Sequence, residues 1–213
     1  KYIDERILQT PAIALAQLIK EMSYMLEVAQ RALDKAMDNF INRTEDEEPV
    51  RKDLREINFL SGKVTDYLIR LSEEDMSHND ELTVSSLYKV LGDIMRVADF
   101  SNNIMRYLRV AVANELYFSS EGLNEIKEMY SLVDELFKDV DYTFANRTTR
   151  LLAKIEDTES KTDKFKLQLQ QNHLDRLKGG NCKSESSSLY VNLIGNIERV
   201  ADHLVYIAQS VKE

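Results

Sequence analysis

The sequence predicts an all-α protein whose six helices form two tandem three-helix bundles. Three observations carry that prediction. The composition holds two prolines, six glycines and no tryptophan beside abundant Leu, Ala, Glu, Lys, Met and Arg, which favours long helices over sheets. Apolar residues recur every three or four positions along each long segment, the period of one helical face. The chain also repeats itself. GDIMRVAD at 92–99 returns as GNIERVAD at 195–202 with six identities in eight, SSLY lies upstream of both, and NRT stands at 42–44 and again at 146–148. A duplicated helical unit, spectrin-repeat-like in architecture, accounts for this better than chance likeness between amphipathic helices.

The first helix is expected from Ala12 to Phe40, with Leu15, Ile19, Met22, Leu26, Ala29, Leu33 and Ala36 on its apolar face. Thr10 and Pro11 form its entrance, since a proline at the first helical position has no amide hydrogen bond to lose. The run RTEDEEP ends it, and Pro49 opens a second helix through Leu54, Ile57, Leu60, Val64, Leu68 and Leu71. A third begins near Thr83 to Ser85 and carries the first octet. After ANELYFSSEG the scheme restarts: a fourth helix covers Leu123 to Phe144, and a more polar fifth covers Ile155 to Leu177, closed by KGG. The sixth runs from Ser186 to the end with the second octet inside it. Residues 11–114 and 119–213 are thus expected to be the two repeats, and residues 1–10 a linker from an upstream domain, in keeping with a chain that begins with Lys.

A net charge of −9 and a pI near 5.0 oppose nucleic-acid binding, which needs concentrated basic surface, and disfavour anionic membranes for the same reason. The most apolar stretch, Ala12 to Ile19, is too short to cross a bilayer. One cysteine, Cys182, has no partner in the chain and lies in a polar run, so a reducing cytosol is the default compartment. His78, His173 and His203 do not share a helix at metal-binding spacing and are read as surface or rim residues, while the methionines on the helical faces are read as packing.

The octet holds the one constellation with chemical content. On a helix Gly195, Glu198 and Asp202 share a face, placing two carboxylates one turn apart beside a missing side chain. Such a pair, completed by acids from a neighbouring helix, suits an oxygen-preferring metal such as iron, manganese, magnesium or calcium. The competing reading is an ordinary i, i+3 ion pair between Arg199 and Asp202, or Arg96 and Asp99. A glycine inside a helix costs about 1 kcal/mol relative to alanine, so its recurrence leads us to expect close approach of another group at Gly195.

A helix reading acid-Arg-aliphatic-small-Asp in each of two three-helix repeats resembles the PhoU family of phosphate-uptake regulators, and IERVADHLVYIAQ at 197–209 is similar to its signature. The resemblance covers nearly the whole chain. It implies that the E-x-x-x-D motif carries metal, iron or zinc or another divalent ion, at Glu198 and Asp202. The first copy departs from the motif, with Met95 in place of the acid, so that Asp99 stands alone and its site is weakened. Among Asp53, Glu56, Glu156, Glu159 and Asp163, no spacing singles out the partner acids. YIDERILQTPAIAL at 2–15 resembles the junction that follows the membrane domain in bacterial sodium-dependent phosphate cotransporter proteins, whose C-terminal cytosolic part is PhoU-like. The two resemblances imply a regulatory domain of phosphate transport, cytoplasmic and tethered to the inner face of the cell membrane. Its expected partners are a transporter membrane domain, in the same chain or a separate one, and further copies of itself. The alternative is a free-standing PhoU adaptor acting on an ABC phosphate transporter and its sensor kinase. An enzymatic di-iron bundle would require Glu-x-x-His, which does not occur, and no nucleophile motif is present.

Overall fold

The computed structural model describes residues 1–212, and among them there are six long helices and no strand. The helices are α1 (Pro11–Asn42), α2 (Glu48–Ser72), α3 (His78–Ala113), α4 (Ser120–Asn146), α5 (Leu152–Lys178) and α6 (Ser184–Gln209), with short 3₁₀ turns at Glu5–Ile7 and Ser210–Lys212. The third helix starts before the expected Thr83 to Ser85. Its first turn is largely exposed and so shows no apolar period, whereas the Ser77 hydroxyl accepts the Asp80 amide at 3.1 Å and fixes the start. Ser119 caps α4 in the same way through Gly122.

The repeated NRT ends α1 and α4 identically. Arg43 and Arg147 adopt the left-handed conformation at φ 55° and 50°, and Thr44 and Thr148 donate backward to the carbonyls of Asn39 and Thr143. Lys-Gly-Gly closes α5 by the same 6→1 geometry, with Asn181 donating to the Arg176 carbonyl at 3.0 Å and Gly180 supplying φ 75°.

Within each half, α1 packs on α2 and α3, and α4 on α5 and α6; α3 against α6 and α1 against α4 join the halves side by side. Both joining pairs run antiparallel. Between α3 and α6 with the turn that follows it, Ser86 meets Ser210, Asp93 meets His203 and Asn103 meets Asn196. On α1 and α4, Ser23 meets Asp141 and Asp34 meets Tyr130. Phe100 and His203 occupy equivalent positions in the two copies, yet their rings lie 6.1 Å apart. Counterparts in mutual contact mark a local two-fold axis, and the two octets flank it. Their inner residues Val97, Ala98, Val200 and Ala201 are buried in one core continuous across both halves.

Residues 1–10 pack on the first bundle. Ile3, Ile7 and Leu8 lie against the core, Tyr67 donates to the Asp4 carbonyl at 2.9 Å, and Glu5 pairs with Arg70 at 2.7 Å.

Candidate metal centre

Helical spacing gives α6 a ladder of Glu198 and Asp202 beside the buried Ile197 and Ala201. α5 carries a matching ladder, Glu159 and Asp163, beside the buried Thr158 and Thr162. Because α5 packs along α6, the ladders face each other, and one oxygen from each of Glu159, Asp163 and Asp202 lies within 4.8 Å of the others. Glu198 adjoins them and accepts from Lys166 Nζ at 3.2 Å. All four carboxylates are half-buried.

Crowding of negative charge shows in the ionisation of the group. Burial, then the hydrogen bond and charge of Asp163 and the approach of Asp202, push the Glu159 carboxyl up to about 7. Burial, the hydrogen bond that the Glu198 carboxyl donates to Asp163 and the charge of Asp202 raise Glu198, with Lys166 opposing, and burial followed by the charge of Asp163 raises Asp202. Like charges at this separation cannot all ionise cheaply, so the cluster titrates as a unit and gives up its last proton at a higher pH than a free carboxyl would. The same oxygens form the donor set that a hard or borderline cation requires, and no imidazole or thiolate joins them among the described residues. The residues fit an oxygen-preferring metal better than a zinc site rich in His or Cys.

Of the acids that spacing left open, Glu159 and Asp163 join Glu198 and Asp202. Asp53 is held by Arg31 at 3.2 Å and Lys35 at 2.7 Å, Glu56 by Arg31 and the Tyr24 hydroxyl, and Glu156 pairs with Lys212 at 3.6 Å. A signal for this pair lies in the sequence: Glu159 and Asp163 reproduce the i, i+4 spacing of Glu198 and Asp202. Asp99 is exposed and Met95 packs against the core, so Asp99 belongs to no such acidic group among the described residues.

Three readings of the octet and its surroundings need correction. A Cβ built on Gly195, or on Gly92, meets nothing within 4 Å, so no group approaches there. The octet arginines pair with neither Asp99 nor Asp202 among the described residues; instead Arg96 and Arg199 lie 5.9 and 5.8 Å from the Phe100 ring centroid. His173 is not a rim residue. It is 3% exposed, bonds Ser187 at 2.5 Å and stacks on Tyr190. His203 is half-buried and meets Asp93 at 2.8 Å; burial raises the Asp93 carboxyl, and the imidazole opposes that.

Two stretches of the chain, residues 22–108 and 126–211, match the family model of the PhoU domain. The chain belongs to the PhoU domain family. PhoU from Pseudomonas aeruginosa has the same fold, with a TM-score of 0.82 over 91% of this chain and 93% of that one at 17% identity. The chain is 22% identical over its whole length to YjbB of Salmonella typhimurium, a proposed inorganic phosphate export protein, and spans 40% of that relative. Against the phosphate-specific transport system accessory protein PhoU homolog 1 of Thermotoga maritima it is 24% identical, covering 92% of this chain and 85% of the relative. No described helix of the chain is long and apolar enough to cross a membrane.

Proposed function

We propose that this PhoU-family chain is a non-enzymatic accessory domain of phosphate handling that works at the cytoplasmic face of a phosphate transporter and holds a cation at Glu159, Asp163, Glu198 and Asp202. The observation that carries the metal reading is the convergence of two carboxylate ladders from adjacent helices, with a raised Glu159 that a cation would discharge. A bound cation supplies positive charge on an otherwise acidic surface, which a phosphate oxyanion could then approach. The protein's own part is to set the four oxygens from α5 and α6, to exclude other acids from the group, and to partly balance it through Lys166.

The accessory reading draws on family membership and on two relatives, a proposed phosphate exporter and an accessory protein of phosphate transport. Attachment to a sodium-dependent transporter accords with a relative of which this chain matches 40%. A separate adaptor, acting on an ABC transporter and its kinase, accords at least as well, because the Thermotoga maritima relative is matched over 85% of its length.

Metal analysis of the purified chain tests the site. The parent should retain iron or manganese through gel filtration, and Glu198→Ala with Asp202→Ala should remove it, whereas Asp99→Ala should leave it unchanged. Equal metal in the parent and the double variant would refute the site. The accessory role is tested separately by phosphate flux in cells with and without the chain, under rich and starved conditions; identical flux in all four cases would refute it.

A further inference from the structure

The turn that closes α5, the first turn of α6 and the start of α4 wall a cavity of about 330 Å³, the size of a small-metabolite pocket. Gly122 leaves its floor open, since a Cβ there would take up the space before the Tyr190 ring and Arg176 Nη2, 3.6 and 3.8 Å away. Arg176 is engaged by Glu125, with Glu121 a further partner at 3.7 Å, and serves as wall. Several other groups of the lining are unengaged. Ser186 is 2% exposed and His173 3%, yet neither the Ser186 hydroxyl nor His173 Nδ1 has a hydrogen bond among the described residues. Both residues line the cavity, and unlike the Tyr190 hydroxyl these two atoms are not sealed from it. The first backbone bond of α6 runs from the Ser187 amide to the Lys183 carbonyl at 3.0 Å and no side chain caps the helix, so the amides of Ser184, Glu185 and Ser186 are unpaired as well. Lys183, at the cap position and on the cavity wall, has no ion pair among the described residues.

We propose that this cavity binds the oxyanion group, carboxylate or phosphate, of a small metabolite, held by the first amides of α6, the Ser186 hydroxyl, the Lys183 ammonium and His173. The unengaged groups set that chemistry: amides, hydroxyl and ammonium all donate, so they call for a ligand rich in acceptors, and the start of a helix adds partial positive charge. Burial, followed by the charge of Arg176, holds the His173 imidazole below its ordinary value, so it enters the site neutral. With Nε2 accepting from the Ser187 hydroxyl at 2.5 Å, Nδ1 carries the proton and becomes a further donor; the ring is fixed by its stacking on Tyr190 at 4.7 Å. A polar side chain buried without a partner is a cost that a ligand removes, and two such side chains converge here. Glu115 is the one acid of the lining and stands exposed at the rim. The carboxylate cluster is separate: Glu198 stands twelve residues beyond Ser186, about 18 Å along α6. The site therefore rests on neither the metal reading nor the accessory role.

The probes are inorganic phosphate and acetate, titrated separately at constant ionic strength into the 213-residue chain and into its Glu198→Ala, Asp202→Ala variant, and followed by NMR. Either ion should shift the amide signals of Ser184, Glu185 and Ser186 and the imidazole of His173 saturably, in the low millimolar range or tighter, and equally in the two proteins. The tighter of the two ions tells a phosphorylated ligand from a carboxylic acid. Lys183→Gln, an exposed change that leaves the fold alone, should weaken binding at least about threefold, the loss of one charge-assisted contact. Ser186→Ala should weaken it too, with helical circular dichroism showing that α6 is intact. Shifts that grow without saturating for both ions, or binding unchanged in Lys183→Gln, would overturn the proposal. Shifts that saturate in the parent and vanish in the Glu198→Ala, Asp202→Ala variant would also overturn it, by placing the anion at the carboxylate cluster instead.

Discussion

Gly195 and Gly180 show how the same residue type can be neutral to structure at one position and required at another. Gly195 lies in the interior of α6 with open space where a Cβ would stand, so it carries the full propensity penalty of glycine with no packing in return. Gly195→Ala should therefore stabilise the protein by about 1 kcal/mol, read as an upward shift of the urea midpoint at constant slope. Gly180 also has room for a Cβ, but its φ of 75° is one that L-residues avoid. Gly180→Ala should destabilise by about 1 kcal/mol. Shifts of the same sign in the two variants would show that local backbone conformation does not govern these positions. The sequence places one glycine within a helix and the other after it, but recurrence of Gly195 in a repeat does not entail a neighbour, since the space beside it is open.

At the scale of elements, facing ladders on α5 and α6 couple ionisation to stability. Glu159 has its carboxyl raised from 4.5 to about 7 in the folded chain. The folded state therefore keeps a proton that the unfolded chain releases, and this contribution to stability is full below 4.5 and lost as pH rises through about 7. Without metal, the parent should lose more stability than Glu159→Gln between about pH 5 and about pH 8, since the amide holds no titrating charge. Manganese should reverse the difference, raising Tm of the parent more at the higher pH, where it need not displace the proton. Thermal unfolding of both proteins at both pH values, with and without the ion, checks each sign. A parent and variant with parallel pH dependence would remove Glu159 from the cluster. The α6 ladder was legible in the sequence because it sits in a repeated motif. The α5 ladder has the same spacing, but α5 is rich in acids, and only the side-by-side packing of the two helices selects Glu159 and Asp163 from their neighbours.

Over the whole molecule, the two bundles meet through α3 and α6 about a local two-fold axis, and polar contacts fix the register of that meeting. Asn196, buried at 8% exposure, accepts from Asn103 at 2.9 Å and donates to the Tyr107 hydroxyl at 2.9 Å. Asn196→Ala strips both partners across the interface and should cost about 1–3 kcal/mol. Because the core is continuous between the halves, the parent should unfold in one transition seen alike by tyrosine fluorescence and by helical circular dichroism. Two resolved transitions would mean that the halves are separate cooperative units.

The sequence by itself determined that the chain is helical, that it consists of a duplicated three-helix unit, and that Glu198 and Asp202 stand together on one face. These properties depend on residue periodicity and local spacing, which a helix converts directly into geometry. It also determined the asymmetry of the repeats, since Met95 replaces an acid whatever the packing. Only the tertiary structure decided that the octets face one another across an axis, that Glu159 and Asp163 adjoin Glu198 and Asp202, and that Arg43 clasps the end of α3. Each of those facts depends on which residues far apart in the chain come within a few ångströms, and helical period carries no information about that.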